Sequence, residues 1–159
     1  VDARARRDAE RWLARRPLTE HEMRERLARA GHAAAAVDVT VEALRRAGLL
    51  DDRRLATDFI TLRSARLGHG PERLVGQLVR RGVRREVADA AWEEAVARED
   101  VDPLAGLRRR LARAIEHGDG RLDSRSWSRV YNALLRAGFS AEVIERELEP
   151  HRPAGDPDE

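Results

Sequence analysis

No cysteine occurs in the 159 residues, which excludes a disulfide framework and any thiolate metal site. No lysine occurs either: all 31 basic residues are arginine. Coding-composition bias is the ordinary source of such a pattern, and selection for bidentate pairing with phosphate or carboxylate is the functional one. Aromatic residues make up only 4% against 38% charged, which disfavours an aromatic-rich β sandwich and suits helices with much solvated surface. The chain also lacks a long apolar run and a signal-peptide pattern, so no membrane association and a reducing cytoplasmic setting are expected. At this length one ordinary core or a short array of small units fits, but two large domains do not.

What charge there is lies unevenly. Net charge is +2, yet residues 86 to 102 carry seven acids against Arg98 alone, while residues 103 to 136 carry eight arginines against three acids. Such patterning suits a molecule that meets a polyanion on one side and protein on another, although solvated helix faces also produce it.

Three segments superimpose on a glycine: LARAG ending at Gly31, LVRRG ending at Gly82 and LLRAG ending at Gly138. Fifty-one residues separate the first two glycines and 56 the last two. A leucine stands four residues before each (Leu27, Leu78, Leu134) and another apolar residue four before that (Met23, Leu74, Val130), which is one face of a helix. Each helix is expected to stop at its glycine, which can take the left-handed conformation of a C′ position. Twelve residues before the glycines lie Thr19, Gly70 and Ser126, all N-cap types. Thr19 to Glu22 reads as a capping box with Leu18 and Met23 as staple, and Gly70-Pro71 puts proline at the first helical position. Further helices are read at 3 to 15, 52 to 67 and 103 to 117 before the anchors, and at 34 to 47, 84 to 97 and 140 to 148 after them, the last capped by Ser140. The expected fold is therefore all-α, an elongated array of three tandem three-helix repeats: 1–50, 51–101 and 102–149, then a disordered acidic tail at 150–159.

The stretch GLLDDRRLATDFI, residues 48 to 60, places two carboxylates side by side. With Asp51 as N-cap, Leu50 and Leu55 fall at staple spacing, Asp52 sits in the first turn, and Leu55, Phe59 and Leu62 continue one apolar face. The pair reads as helix initiation, since no histidine or second acid converges on it locally. The five histidines (His21, His32, His69, His117, His151) never take zincin spacing. Gly68 to Pro71 lacks the Gly-Lys-Ser/Thr end of a phosphate loop, and His117 to Gly120 with Asp123 lacks the remaining ligands of an EF-hand, so both read as connections. No cofactor, metal site or catalytic residue is expected. Trp12, Trp92 and Trp127 read as core or repeat-interface anchors rather than platforms for bases.

GLLDDRRLATDFI, followed by Arg63 and then GHGPERLVGQLVRRGV, resembles the signature of the RecX family of recombinase regulators. LTEHEMRERLARAG and YNALLRAGFSAEVI are similar to that family's flanking repeats, so the resemblance covers roughly residues 8 to 148, with no distinctive motif at 103 to 125. It implies a non-enzymatic modulator that binds the RecA filament on DNA in its helical groove and restrains ATP hydrolysis, strand exchange and co-protease activity, within DNA repair and the SOS response. A monomer is expected, with room for weak binding to single- or double-stranded DNA.

The candidate partner or DNA contacts are Arg63, Arg66, Arg73, Arg80, Arg81, Arg84 and Arg85 in the middle repeat and Arg108, Arg109, Arg110 and Arg113 in the third. For any single arginine among them, solubilising surface charge is the ordinary role. Two other function classes fit parts of the pattern. A helix-turn-helix DNA binder would have three short helices per unit, but 84 to 97 is acidic and 34 to 47 opens with alanines, poor features for a reading helix. A nuclease would need a metal constellation that the sequence does not display.

Overall fold

The computed structural model describes residues 2 to 116 and 120 to 153, which form helices and no strand. In order they are α1 (Ala3–Leu13), α2 (Glu20–Arg29), α3 (Ala34–Arg46), α4 (Asp52–Leu67), α5 (Pro71–Arg80), α6 (Arg85–Ala97), α7 (Ala105–Ile115), α8 (Ser124–Ala137) and α9 (Ala141–Leu148), followed by a 3-10 turn (Glu149–His151). The connection read at His117 to Gly120 lies, except for Gly120, outside the described residues, as do residues 154 to 159 of the tail. Residues Pro150 and His151 belong to the 3-10 turn, where Leu122 N–H donates to the His151 carbonyl at 3.0 Å and the His151 ring to the Gly120 carbonyl at 2.6 Å.

The anchor helices α2, α5 and α8 end alike. Gly31, Gly82 and Gly138 have φ of 84°, 88° and 98°. The next residue then returns its N–H to the carbonyl four before the glycine: His32 to Leu27, Val83 to Leu78 and Phe139 to Leu134. This is a Schellman closure, and the buried Val83 and Phe139 supply its apolar contact. The pattern recurs at the end of α3, where Gly48 has φ 69°, and at the end of α6, where Glu99 takes the same left-handed conformation at φ 61° without glycine's freedom. Glu99 lies 51 residues after Gly48, as Val101 does after Leu50 and Asp102 after Asp51. Leu50 and Val101 are both buried, so EDVDP at 99 to 103 is a diverged second copy of GLLDD that local motif reading passed over.

Several local expectations need correction. Ser126 is not an N-cap: α8 begins at Ser124, Asp123 caps it, and Ser126 supplies the N–H that the Asp123 carboxylate accepts at 2.7 Å. The assumed common length of the anchor helices caused that error, since α8 has 14 residues where α2 and α5 have 10. Leu62 does not continue the apolar face of α4; it is 51% exposed, and the buried stripe runs Leu55, Ala56, Ile60. α1 ends at Leu13, ahead of Pro17, and α7 spans 105 to 115 rather than 103 to 117.

The described chain packs as two compact units. Unit one is Val1–Phe59 with Gln77–Glu94, and unit two is Ile60–Gly76 with Ala95–Glu159, so the division falls inside α4, α5 and α6. Unit one's core gathers Met23 and Leu27 of α2 with Val41 and Leu44 of α3, against Ala5 and Ala9, whose small side chains let α1 approach closely. Beside it the His32 side chain, 3% exposed, is bonded to Asp8 at 3.0 Å and so ties the loop after α2 to α1. Unit two's core gathers Leu107 and Leu111 of α7, Val130 and Leu134 of α8, and Ile144 and Leu148 of α9.

Each unit also contains an end-to-end joint between anchor helices. In unit one the end of α5 meets the start of α2: Thr19 Oγ1 donates to the Arg81 carbonyl at 2.7 Å. In unit two the end of α8 meets the start of α5: Gly70 N–H donates to the Ala137 carbonyl at 2.8 Å and Glu72 N–H to the Gly138 carbonyl at 3.0 Å. Arg81 and Ala137 are register equivalents, as are Thr19 and Gly70. Both joints bring a negative helix C-terminus to a positive helix N-terminus, the favourable sense for the backbone dipoles.

Candidate functional site

Asp51 and Asp52 cap two different helices. Asp51 Oδ1 accepts the Arg54 N–H of its own helix at 3.0 Å, as its spacing implies. Asp52 Oδ1 accepts the Glu20 N–H at the start of α2, at 2.9 Å and 32 residues away. Sequence spacing shows only the first role. Burial raises the Asp52 carboxyl above its ordinary value despite that hydrogen bond, with Asp51 and Glu22 adding to the rise. Glu22 next to it completes the capping box, taking the Thr19 N–H at 3.0 Å while giving its own N–H to Thr19 Oγ1 at 3.0 Å. Burial pushes the Glu22 carboxyl up, but the Arg81 guanidinium, the Thr19 N–H and the charges of Arg81 and Arg16 outweigh it and hold the group below its usual value.

These caps border an open cleft of about 980 Å³ in unit one, lined by the starts of α2, α4 and α6 and the end of α3. Its walls carry Glu20, Asp51, Asp52 and Glu86 beside Arg24, Arg45, Arg53 and Arg84. Three of these arginines are bonded within the fold: Arg24 to Asp38, Arg45 to Glu42 and Arg53 to Glu94. Arg84 is exposed and has no such partner among the described residues. The cleft thus presents both signs of charge, as protein partners commonly do.

The eleven candidate arginines fall into two groups by unit. Unit one holds Arg80, Arg81, Arg84 and Arg85. Arg81 is committed to the joint, bonding Glu22 through Nε and Nη2 at 3.0 Å each and the Pro17 carbonyl at 3.3 Å. Arg85 lies 3.5 Å from Asp89, and Arg80 is exposed without a side-chain partner among the described residues. Unit two holds Arg63, Arg66, Arg73, Arg108, Arg109, Arg110 and Arg113. Arg73 donates to the Arg136 carbonyl at 3.0 Å, Arg110 to the Leu67 carbonyl at 2.9 Å, and Arg108 to Glu147 at 3.1 Å. Arg63 is half-buried, whereas Arg66, Arg109 and Arg113 are exposed and lack side-chain partners among the described residues. Arg29 and Arg136 also stand two residues before an anchor glycine, in the register of Arg80, and are exposed. The repeat alignment carries that signal, although the sequence reading did not select them.

The tryptophans are partly buried: Trp12 packs on the unit-one core with Arg26 over its ring at 5.8 Å, and Trp127 on the unit-two core with Arg152 at 5.5 Å. No three His, Asp or Glu side chains gather to hold a metal ion among the described residues, and no described helix is long and apolar enough to cross a membrane.

A family profile described as RecX, first three-helix domain, matches residues 5–44, which take in most of α1, all of α2 and most of α3. Regulatory protein RecX of Halorhodospira halophila is 40% identical over 135 residues, covering 84% of this chain and 80% of that protein. The chain belongs to the RecX family. Regulatory protein RecX of Pseudomonas fluorescens is 30% identical over 143 residues, 90% of this chain and 88% of that one. The RecX fold itself is seen in a crystal structure of RecX from Lactobacillus salivarius, which matches with a TM-score of 0.77 at 18% identity and covers 93% of this chain and 94% of that one. RecX relatives therefore align across both units, including the cleft and the two joints.

Proposed function

We propose that this RecX-family chain is a non-enzymatic regulator of a RecA-type recombinase, acting in the cytoplasm as a monomer. It binds the recombinase filament on DNA along the filament groove and restrains ATP hydrolysis, strand exchange and co-protease activity, in DNA repair and the SOS response. The observation that carries the reading is the extended similarity to proteins named regulatory protein RecX, at up to 40% identity over most of the chain. Support comes from the mixed-charge cleft of unit one, where Arg84 stands uncommitted among carboxylates that a polyanion alone would not favour, and from Arg80 of the same unit, which is exposed and equally uncommitted. Arg80, Arg84 and Arg85 are the proposed protein contacts, while Arg81 holds the joint. The repeats at 1–50, 51–101 and 102–149 act together in this reading, because contacts spread over linked units gain from effective concentration.

The experiment is ATP hydrolysis by preformed recombinase filaments as the full chain is titrated in at fixed salt and fixed DNA. A dose-dependent fall, with no hydrolysis by the chain itself, is expected. An unchanged rate together with unchanged strand exchange contradicts the proposal. A direct DNA-binding role is the second reading, favoured by the arginines of unit two.

A further inference from the structure

We propose that the face of unit two built from the end of α4, the start of α5 and α7 binds the phosphodiester backbone of nucleic acid without reading its bases. This rests on the proposed function, since it assigns the DNA of a recombinase filament to unit two and the recombinase itself to unit one.

Charge balance is the first support. Residues 60 to 76 and 105 to 115 together carry seven arginines and one acid, Glu72, and Glu147 of α9 pairs with one of the seven, Arg108. Residues 77 to 94 of unit one carry four of each sign. A protein surface commonly offers charges of both signs, and a face on which arginines outnumber carboxylates this far complements its cations poorly. A phosphate backbone offers only acceptors, which such a face satisfies.

The packing concentrates that charge on one turn. Gly106 of α7 lies against the backbone of Gly68, so closely that a Cβ on Gly106 would overlap the Gly68 carbonyl. This approach sets Arg109 over Gly68 and lets Arg110 reach the Leu67 carbonyl. Arg66 precedes the same turn, and Arg113 continues the Arg109 face one helical turn further along α7. Inside the turn His69 reports the result: burial, then the charges of Arg73, Arg110 and Arg63, hold its imidazole below the ordinary value. Residues 60 to 76 and 105 to 115 contain no Phe, Tyr or Trp, so the face offers no stacking platform, and contacts are confined to the backbone.

The test uses the full chain with Arg66→Gln, Arg109→Gln and Arg113→Gln combined, three exposed side chains that hold nothing in the fold. The control is Arg80→Gln/Arg84→Gln. Binding to a single-stranded thymidine oligomer and to a duplex of equal length is followed by anisotropy across a salt series. The triple variant is expected to flatten the plot of log affinity against log salt by about 2 on the single strand and slightly more on the duplex, while the control keeps the wild-type slope. A flattening on one ligand only identifies which form the face accepts. His69 ring resonances of the wild type are expected to shift on adding the oligomer. A folded triple variant with the wild-type slope on both ligands, or no salt-dependent binding by the wild type to either, overturns the proposal. So does a loss confined to recombinase filaments, which assigns the face to an acidic protein surface. Normal DNA binding with no effect on the recombinase would instead contradict the regulatory reading and leave this one standing.

Discussion

The joint of α5 on α2 and the joint of α8 on α5 occupy the same register and are made of different chemistry. In unit one a hydroxyl reaches the terminal carbonyl, and Arg81 locks the contact through Glu22. In unit two the position equivalent to Arg81 is Ala137 and that equivalent to Glu22 is Arg73, so no such pair can form. Backbone N–H groups of Gly70 and Glu72 make the contact directly. The first residue of each receiving helix follows suit. Glu20 has an N–H that Asp52 satisfies, whereas Pro71 has none, and Pro103 stands where a second Asp52 would be. The lesson is that one end-to-end packing of helices tolerates two side-chain solutions: Arg81 on Glu22 in unit one, and Arg73 on the Arg136 carbonyl in unit two. Both joints therefore commit one arginine each, Arg81 to a carboxylate and Arg73 to a backbone carbonyl, and only the first makes an ion pair.

The largest effect is expected from Gly70→Ala. A Cβ there would overlap the Gly138 carbonyl oxygen, and the backbone on both sides of the contact leaves no room to yield. A loss of about 2 to 3 kcal/mol in urea unfolding is expected. Thr19→Ala, the same register position in unit one, removes a cap and a hydroxyl bond and should cost only about 1 to 2 kcal/mol. A Gly70→Ala protein as stable as wild type would show that the two joints do not differ in this way.

The joints should also respond differently to acid. The Glu22 carboxyl sits below its ordinary value, so its contribution is present above the unfolded-state value and is lost as pH falls through the lower folded-state one. Asp52 is raised, so its contribution has the opposite sign: stability falls as pH rises from the unfolded to the folded value. Amide exchange resolved at the start of α2 should therefore depend on pH beyond the intrinsic exchange chemistry, and exchange at the start of α5 much less. Arg81→Ala, at a cost of about 1 to 2 kcal/mol for an ion pair that is largely but not wholly buried, should remove most of the Glu22 part of that dependence.

Separating the two aspartates sharpens the comparison at smaller scale. Asp51→Ala should lose about 0.5 to 2 kcal/mol while filament binding at permissive temperature stays intact. Asp52→Asn keeps an acceptor for the Glu20 N–H and removes a half-buried charge, so it should be close to neutral at pH 7, whereas Asp52→Ala should cost about 1 kcal/mol. Equal losses for the Asn and Ala variants in thermal unfolding would deny the capping role of Asp52. The smallest effect expected is a gain: Glu99→Gly relieves a left-handed glutamate where the preceding repeat has Gly48, worth up to about 1 kcal/mol.

Features carried by short-range spacing were legible in the sequence. The anchor glycines, the Leu27, Leu78 and Leu134 stripe, the Thr19 box, the Asp51 cap and the bounds of α4 all depend on residues within one or two helical turns. Features that depend on a partner far along the chain were not. Nothing near Asp52 points to Glu20, and nothing near Arg81 distinguishes a guanidinium locked on Glu22 from the exposed one of Arg80 beside it. Leu62 failed for a related reason, because α4 turns Ala56 and Ile60 inward and local periodicity does not decide between two apolar stripes. The copy of GLLDD at 99 to 103 was available from the 51-residue offset, but its glycine has become Glu99, which hides the motif from pattern reading.

The most direct test of the account compares Arg80→Glu/Arg84→Glu with wild type, on single-stranded DNA alone and on preformed recombinase filament at matched salt. Because both side chains are exposed and uncommitted in unit one, and Arg84 lies in the mixed-charge cleft, affinity for the filament is expected to fall at least about tenfold, roughly 1.4 kcal/mol, with little change on bare DNA. Parallel losses on the two ligands, or filament binding left at the wild-type level, would contradict it.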